Sequence, residues 1–381
     1  MTKTKISFKP TAKPTKEEMI ENNKHHPLSN FSKEERLEKI VSVYSRAHNV
    51  ADANGTGVAA IKDLFVNGSN LYQLKTGPNK GKYMGANFFN FAEETHSVIK
   101  QQYIATEAPY NAEDYFRMCI DKEAHVLVSL TGIAEEPEHD QKKLYYWRNG
   151  DGDKCNPVNI HHLVKGREEL EFDNKKIICD EEEIILPTEN NGLFNIRHYK
   201  VTEEGQEDYE LYHIIYKEWK DDGDAKSITD IIKLIKLIDY SHRKLQANEI
   251  NPIVINCNMG FNRTTALILM HQISKMLEPY VSQSKTTKEL EQLIELMDID
   301  IDSMINSIQR KVMLGAAEKH REKLLNFPQE LINNSIKEID NLASLGVKSE
   351  NDSNTIPPIG IANSGVIDHH DDIQPWLGPI K

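Results

Sequence analysis

The sequence predicts an α/β domain: a highly twisted mixed β-sheet with helices on both faces. Three observations predict it. From Lys80 to Tyr216 short apolar runs alternate with turn residues, the pattern of successive strands. Ile228 to Leu237 places Ile231, Ile232, Leu234, Ile235 and Ile238 on one side of a helix, and helical spacing returns from Lys285 onward. Between these two regions an apolar run, Pro252 to Ile255, leads through a short loop into a helical run, Thr264 to Leu277. Strands interleaved with helices of this length require a sheet covered on both faces, with loops at the strand ends free to carry chemistry.

Taken in order, residues 1–30 read as a flexible arm. Ser32 and Glu35 form a capping box, and Leu37, Ile40, Val41 and Tyr44 follow at helical spacing, so an amphipathic helix packing on the domain is expected there. Asp52 to Gly55 lacks the ligand series of a calcium loop and reads as a turn, as does Asn149 to Asp153. Ile177–Ile178, Ile184 to Leu186 and Tyr212 to Tyr216 are strand candidates. Past Lys285, helical spacing runs through Leu290, Leu293, Ile294 and Met297, then Met304, Ile305 and Ile308, then Leu324 and Leu325. After about residue 345 periodicity is lost and Asn, Ser, Pro and Gly dominate, the composition of a loosely attached tail. The expected organisation is a folded domain over 31–330, then a helix end and flexible tail over 331–381. The Asp368 to Asp372 run, which includes His369 and His370, reads as a solvated polar segment rather than a metal site. Trp376 could dock the tail on the domain or on a partner.

Composition excludes several classes. A net charge of -13 across 381 residues argues against nucleic acid as the main partner, which requires a basic face. No apolar run reaches bilayer length, and no secretory signal pattern is visible. The cysteines, Cys119, Cys155, Cys179 and Cys257, lack paired metal-ligand spacing and suit a reducing compartment. A cytoplasmic location is therefore expected. The richness in Lys, Asn and Ile suggests a low-GC genome and leaves open delivery to a host cytosol by a secretion system.

The chemistry centres on Cys257, Asn258, Met259, Gly260, Phe261, Asn262 and Arg263, with Thr264 beginning the helix. A strand, a tight loop and a helix start converge backbone N–H groups on one point, and the helix end adds partial positive charge. Such a cradle binds a phosphate dianion and favours a thiolate over a thiol. An arginine closing it offers a planar fork to two phosphate oxygens. These seven residues alone are equally compatible with a buried strand-end cysteine acting as a small hydrophobe.

The loop resembles the His-Cys-x-x-Gly-x-x-Arg-Ser/Thr signature of the cysteine-dependent protein tyrosine phosphatases, and further segments follow in family order. Tyr83 to Asn87 resembles Tyr-Ile-Asn-Ala-Asn/Ser, and Tyr103 to Pro109 resembles Tyr-Ile-Ala-Thr-Gln-Gly-Pro. Glu113 to Met118 is similar to the Asp-Phe-Trp-Arg-Met segment, with Val126 to Leu130 as the core strand expected next. Lys142, Tyr146 and Trp147 match Lys-Cys-x-x-Tyr-Trp. The resemblance covers roughly residues 60 to 325 and implies the phosphatase fold, with the loop at the C-terminal end of a central strand.

It also implies roles. Cys257 is the nucleophile, and residues Asn258 through Thr264 bind phosphate. Trp219-Lys220-Asp221 matches the mobile Trp-Pro-Asp loop, so Asp221 is the general acid and Trp219 belongs to the substrate site. Phe65, in Lys62 to Phe65, stands where an aromatic ring walls a slot deep enough to select phosphotyrosine. Phe65 as ordinary core is an equal alternative. No cofactor is needed, the partner is a phosphotyrosine-containing protein, and the oligomeric state is left open.

The departures are specific. Asn256 replaces a histidine that helps keep the thiol ionised. Lys220 replaces the loop proline, and Asn262 and Thr265 replace small glycines. Gly315 stands where a glutamine positions water, with Glu318 close by. Two alternatives to an active tyrosine phosphatase follow: a phosphotyrosine-binding module with weak or no turnover, and an inositol-phosphate or phosphoinositide phosphatase, a branch that Arg263-Thr264-Thr265 resembles.

Overall fold

The computed structural model describes residues 5–6, 12–13, 15, 18, 40–41, 71–90, 100–107, 112–130, 170–181, 193–216, 218–219, 227–248, 250–257, 260–284, 286–311 and 316–344. Its strands are β1 (Lys5–Ile6), β2 (Ile40–Val41), β3 (Leu71–Gln73), β4 (Tyr83–Asn90), β5 (Gln102–Thr106), β6 (Val126–Ser129), β7 (Leu170–Phe172), β8 (Lys175–Glu181), β9 (Phe194–Glu203), β10 (Tyr209–Tyr216), β11 (Ile253–Asn256) and β12 (Asp298–Ile299). Its helices are α1 (Ala112–Asp121), α2 (Ile228–Lys244), α3 (Asn262–Gln283), α4 (Thr287–Leu296), α5 (Ile301–Lys311) and α6 (Arg321–Ser344), with a 3₁₀ turn at Glu318–His320.

The main sheet runs β2-β4-β5-β11-β6-β10-β9-β8-β7, with β3 also on β4. Its centre is parallel: β11 lies between β5 and β6, and β10 follows β6 in the same direction. Antiparallel strands flank this centre, β4 and β3 on one side and β9, β8 and β7 on the other. The sheet is therefore mixed. Ile253, Val254, Ile255 and Asn256 are all buried, as a parallel strand covered on both faces must be.

Alternation along the strands sorts side chains between two cores. Tyr103, Ala105, Val126, Val128, Ile253 and Ile255 face the larger core with α2, α3, α5 and α6. Ile104, Leu127, Leu211 and Val254 face the other with Tyr115, Phe116 and Met118 of α1. Helices thus cover both faces, as the sequence predicts.

The helix ends follow local chemistry. Ser227 caps α2, its side chain accepting from the Asp230 N–H at 3.0 Å. The predicted Ile228–Leu237 helix extends to Lys244, with His242, Arg243 and Lys244 at its negative end. It closes where Gln246 N–H donates to Arg243 O at 2.9 Å and Ala247 N–H to His242 O at 3.0 Å, the paired bonds of a Schellman stop. Thr286 and Glu289 form a reciprocal capping box at the start of α4. Leu331 and Ile332 of α6 are buried, so that helix packs well past residue 330.

Two sequence expectations differ from the structure. Within residues 1–30, read as a flexible arm, Lys5–Ile6 pairs in parallel with Asp298–Ile299. Ile40–Val41, read as part of an amphipathic helix, forms a strand parallel to Tyr83–Met84. Two consecutive β-branched residues favour extended backbone, and the edge of β4 offers unpaired groups to complete it. Ser32, Glu35, Leu37 and Tyr44, the strand candidate 184–186, both turn candidates and the tail from 345 lie outside the described residues. Among the described residues no helix is long and apolar enough to cross a membrane.

Candidate active site

The site begins where β11 ends. Cys257 follows directly on Asn256 and is 4% exposed. Gly260 then turns the chain with φ +73°. Its Cα sits so close to β5 that an added Cβ would lie 2.6 Å from the Thr106 carbonyl carbon and 2.8 Å from the Glu107 nitrogen. Only glycine satisfies both the positive φ and the close approach.

Helix α3 follows at once. Its N-cap, Phe261, makes no side-chain capping bond, and the first turn holds no acidic residue. The first helical bond runs from Thr265 N–H to Phe261 O at 2.9 Å, and the Thr265 hydroxyl also donates to Phe261 O. The N–H groups at the start of the helix therefore lack partners within it, leaving the positive end of a 22-residue helix at the loop. Phe261, Arg263 and Thr264 are buried, while Asn262 is exposed. Thr264 Oγ1 has no hydrogen-bond partner among the described residues.

Arg263, 3% exposed, is held by two carbonyls from distant parts of the chain. Its Nη1 donates to Leu130 O at 3.0 Å and to Trp219 O at 2.6 Å. Leu130 also donates its N–H to Asn256 O at 2.8 Å. One residue just past β6 thus braces, through its N–H and its C=O, both the residue before the cysteine and the arginine that closes the loop. Two bonds on one Nη fix the plane of the guanidinium before any ligand arrives.

Trp219 contributes through its backbone. The indole is fully buried, edge-on to His320 with ring centroids 5.3 Å apart, and its carbonyl reaches Arg263. The ring itself therefore packs inward, and it is the backbone of Trp219 that reaches the loop. Gln309 is buried and donates to Glu318 Oε2 at 2.9 Å and to Ala316 O at 3.3 Å, so the carboxylate closest in sequence to Gly315 is tethered. Asp221, Phe65, Asn258, Met259, Lys220 and Gly315 lie outside the described residues.

Sequence reasoning missed what stands behind the loop. Asn256 Oδ1 accepts from Ser129 Oγ at 2.8 Å and from the Tyr115 hydroxyl at 3.4 Å, and Ser129 Oγ meets His213 Nε2 at 2.8 Å. All four side chains are buried. The available signal was polar residues at core-facing strand positions, Ser129 after Val126 to Val128 and His213 ahead of Ile214–Ile215. Burial pushes the thiol of Cys119, on α1, up to about 12, which marks it as a packing residue. Among the described residues no group of three or more His, Cys, Asp or Glu could hold a metal ion.

The chain is similar in sequence to known tyrosine phosphatases. The family model described as Protein-tyrosine phosphatase matches residues 60–297, more than half of the chain. Probable tyrosine phosphatase protein H4 of Microplitis demolitor bracovirus is 24% identical over 169 residues, covering 43% of this chain and 80% of that protein. Tyrosine phosphatase H3 of the same virus is 24% identical over 255 residues, covering 62% and 67%. Mouse tyrosine-protein phosphatase non-receptor type 4 is 24% identical over 200 residues, 51% of this chain but 18% of that longer protein. A solved structure of PTPN18 aligns with TM-score 0.47 at 18% identity, covering 69% of this chain and 78% of that one. On the extent of the family match, the chain belongs to the protein-tyrosine phosphatase family.

Proposed function

We propose that this chain hydrolyses phosphotyrosine monoesters on proteins through a phosphocysteine intermediate, with 31–330 as the catalytic domain. The observation that carries the reading is Arg263, a guanidinium locked at the N-terminus of α3, in the same short loop as Cys257. In the first step the Cys257 thiolate forms an S–P bond as the P–O bond to the tyrosine breaks. Asp221 gives its proton to the departing phenolic oxygen. In the second, water attacks phosphorus, Asp221 takes back a proton, and the S–P bond breaks to release inorganic phosphate and the thiolate. The loop N–H groups and Arg263 hold the equatorial oxygens throughout.

Trp219 serves here as the anchor of the acid segment, two residues before Asp221, rather than as a substrate wall. The bond from Arg263 to its carbonyl couples the phosphate cradle to that segment. Phe65 remains the proposed wall of the tyrosine slot.

The test is phosphate release from para-nitrophenyl phosphate, a phosphotyrosine peptide and inositol phosphates, with and without vanadate. Release from the first two, blocked by vanadate and abolished in Cys257→Ser, supports the proposal. Asp221→Ala should slow turnover while leaving peptide bound. Tight peptide binding with no release would make the chain a binding module, the reading that Gly315 favours. Release only from inositol phosphates would move it to the other branch.

A further inference from the structure

On the face of the sheet covered by α1, side chains along the central strands are apolar until the strands reach the loop. Leu127, Leu211 and Val254 lie in that core. Two residues farther along each strand, alternation returns Ser129, His213 and Asn256 to the same face. Ser129 is in register with both Asn256 and Ile215, so β6 stands between the other two strands. Hydroxyls come from Tyr115 of α1 and Tyr199 of β9. Polar groups buried this deeply are destabilising unless each finds a partner, so their presence beneath the loop asks for a task.

The hydrogen bonds run one way. Asn256 Oδ1 only accepts, so the Ser129 hydroxyl donates to it at 2.8 Å. Ser129 Oγ is then an acceptor, and its 2.8 Å contact with His213 requires the proton on Nε2. His213 Nδ1 is left to accept from the Tyr199 hydroxyl at 3.5 Å. Each step fixes the next, ending on the residue that precedes Cys257. Asn256 Nδ2 is buried and has no acceptor among the described residues. Without the tether the amide could turn over, exchanging donors for an acceptor one residue from the sulfur.

We infer that His213 is a positioning residue: through Ser129 it locks the Asn256 amide at the end of β11 and so holds Cys257, the next residue, in its reactive placement. The imidazole stands two strands away from the cysteine's own and acts through a hydroxyl and an amide. The inference rests on the phosphatase reading for its purpose, but its test does not need turnover.

The test compares His213→Phe, which keeps a ring and loses the donor, with His213→Gln, which keeps an N–H donor. Ser129→Ala breaks the next link. The readout is the rate of Cys257 alkylation by iodoacetamide at fixed pH, located by mass spectrometry. Loss of one such bond corresponds to a slowing of about 5-fold in His213→Phe and Ser129→Ala. His213→Gln should stay within about 2-fold of wild type. In an Asn256→Leu background, which removes the end of the chain, His213→Phe and Ser129→Ala should have no further effect. Equal rates in the Phe and Gln variants, or an unchanged effect in the Asn256→Leu background, would overturn the inference. If His213→Phe does not fold, Ser129→Ala with and without Asn256→Leu decides it alone. Absence of phosphate release by the wild-type protein counts against the phosphatase reading and leaves the alkylation comparison intact. Where turnover is present, kcat should fall with alkylation rate while KM holds.

Discussion

Replacing Gly260 with alanine tests whether the loop is seated on β5 as described. Two costs are expected. A residue with a Cβ at φ +73° loses about 1–2 kcal/mol to left-handed backbone strain. The Cβ would also lie 2.6 and 2.7 Å from the carbonyl carbon and oxygen of Thr106 and 2.8 Å from Glu107 N. These are backbone atoms of a central strand and cannot swing aside, so overpacking adds about 1–3 kcal/mol. The sum is about 2–5 kcal/mol. Gly81→Ala is the control: φ there is +85° with nothing within 4 Å of the added Cβ, so the backbone term acts alone. Guanidinium unfolding followed by tryptophan fluorescence compares them, with Trp219 as a fully buried reporter. Gly260→Ala should unfold at lower denaturant than Gly81→Ala, and the still-folded protein should bind vanadate at least tenfold more weakly than wild type. Equal midpoints at equal slopes, with vanadate binding intact, would refute the seating of the loop against Thr106.

Three further outcomes follow. Arg263→Lys keeps the charge but loses the planar fork held by Leu130 O and Trp219 O, so kcat/KM should fall about 100-fold or more; a loss below tenfold would remove the fork from the mechanism. Arg117 is buried and bonds Asp114 Oδ1 at 2.9 Å and Asp173 Oδ2 at 2.7 Å, tying α1 to the β7–β8 turn. Arg117→Met leaves the buried Asp114 carboxylate without its cation and should cost about 3–5 kcal/mol in denaturant unfolding, with partial recovery in Arg117→Met/Asp114→Asn. His242 is held neutral by burial, its pKa lowered to about 4. The unfolded chain then binds the extra proton between about pH 6.5 and 4, so this group's contribution to stability is lost as pH falls through that window, by up to about 3 kcal/mol. His242→Gln should flatten that part of a stability-versus-pH curve, and an unchanged slope would assign the acid sensitivity elsewhere.

What the chain declares by itself is local. The Cys257–Arg263 loop is legible because a strand, a turn and a helix start are contiguous, and their residue preferences lie within a dozen positions of each other. The alternating apolar runs and the spacing of α2 are legible for the same reason: period two and period 3.6 are properties of neighbours. Ile40–Val41 escaped this logic because helical spacing around it was overruled by an available strand edge. The partners of the site's supports were not legible. Ser129 is 127 residues from Asn256, Leu130 is 133 from Arg263, and Trp219 is 44 from Arg263. Strand order, which places β6 beside β11 and β10 beside β6, brings them together. A buried serine or histidine in an apolar run carries no mark of its partner in the one-dimensional pattern. The partner is set by register across the sheet, and so the loop was written in the sequence while the frame that holds it was decided only in three dimensions.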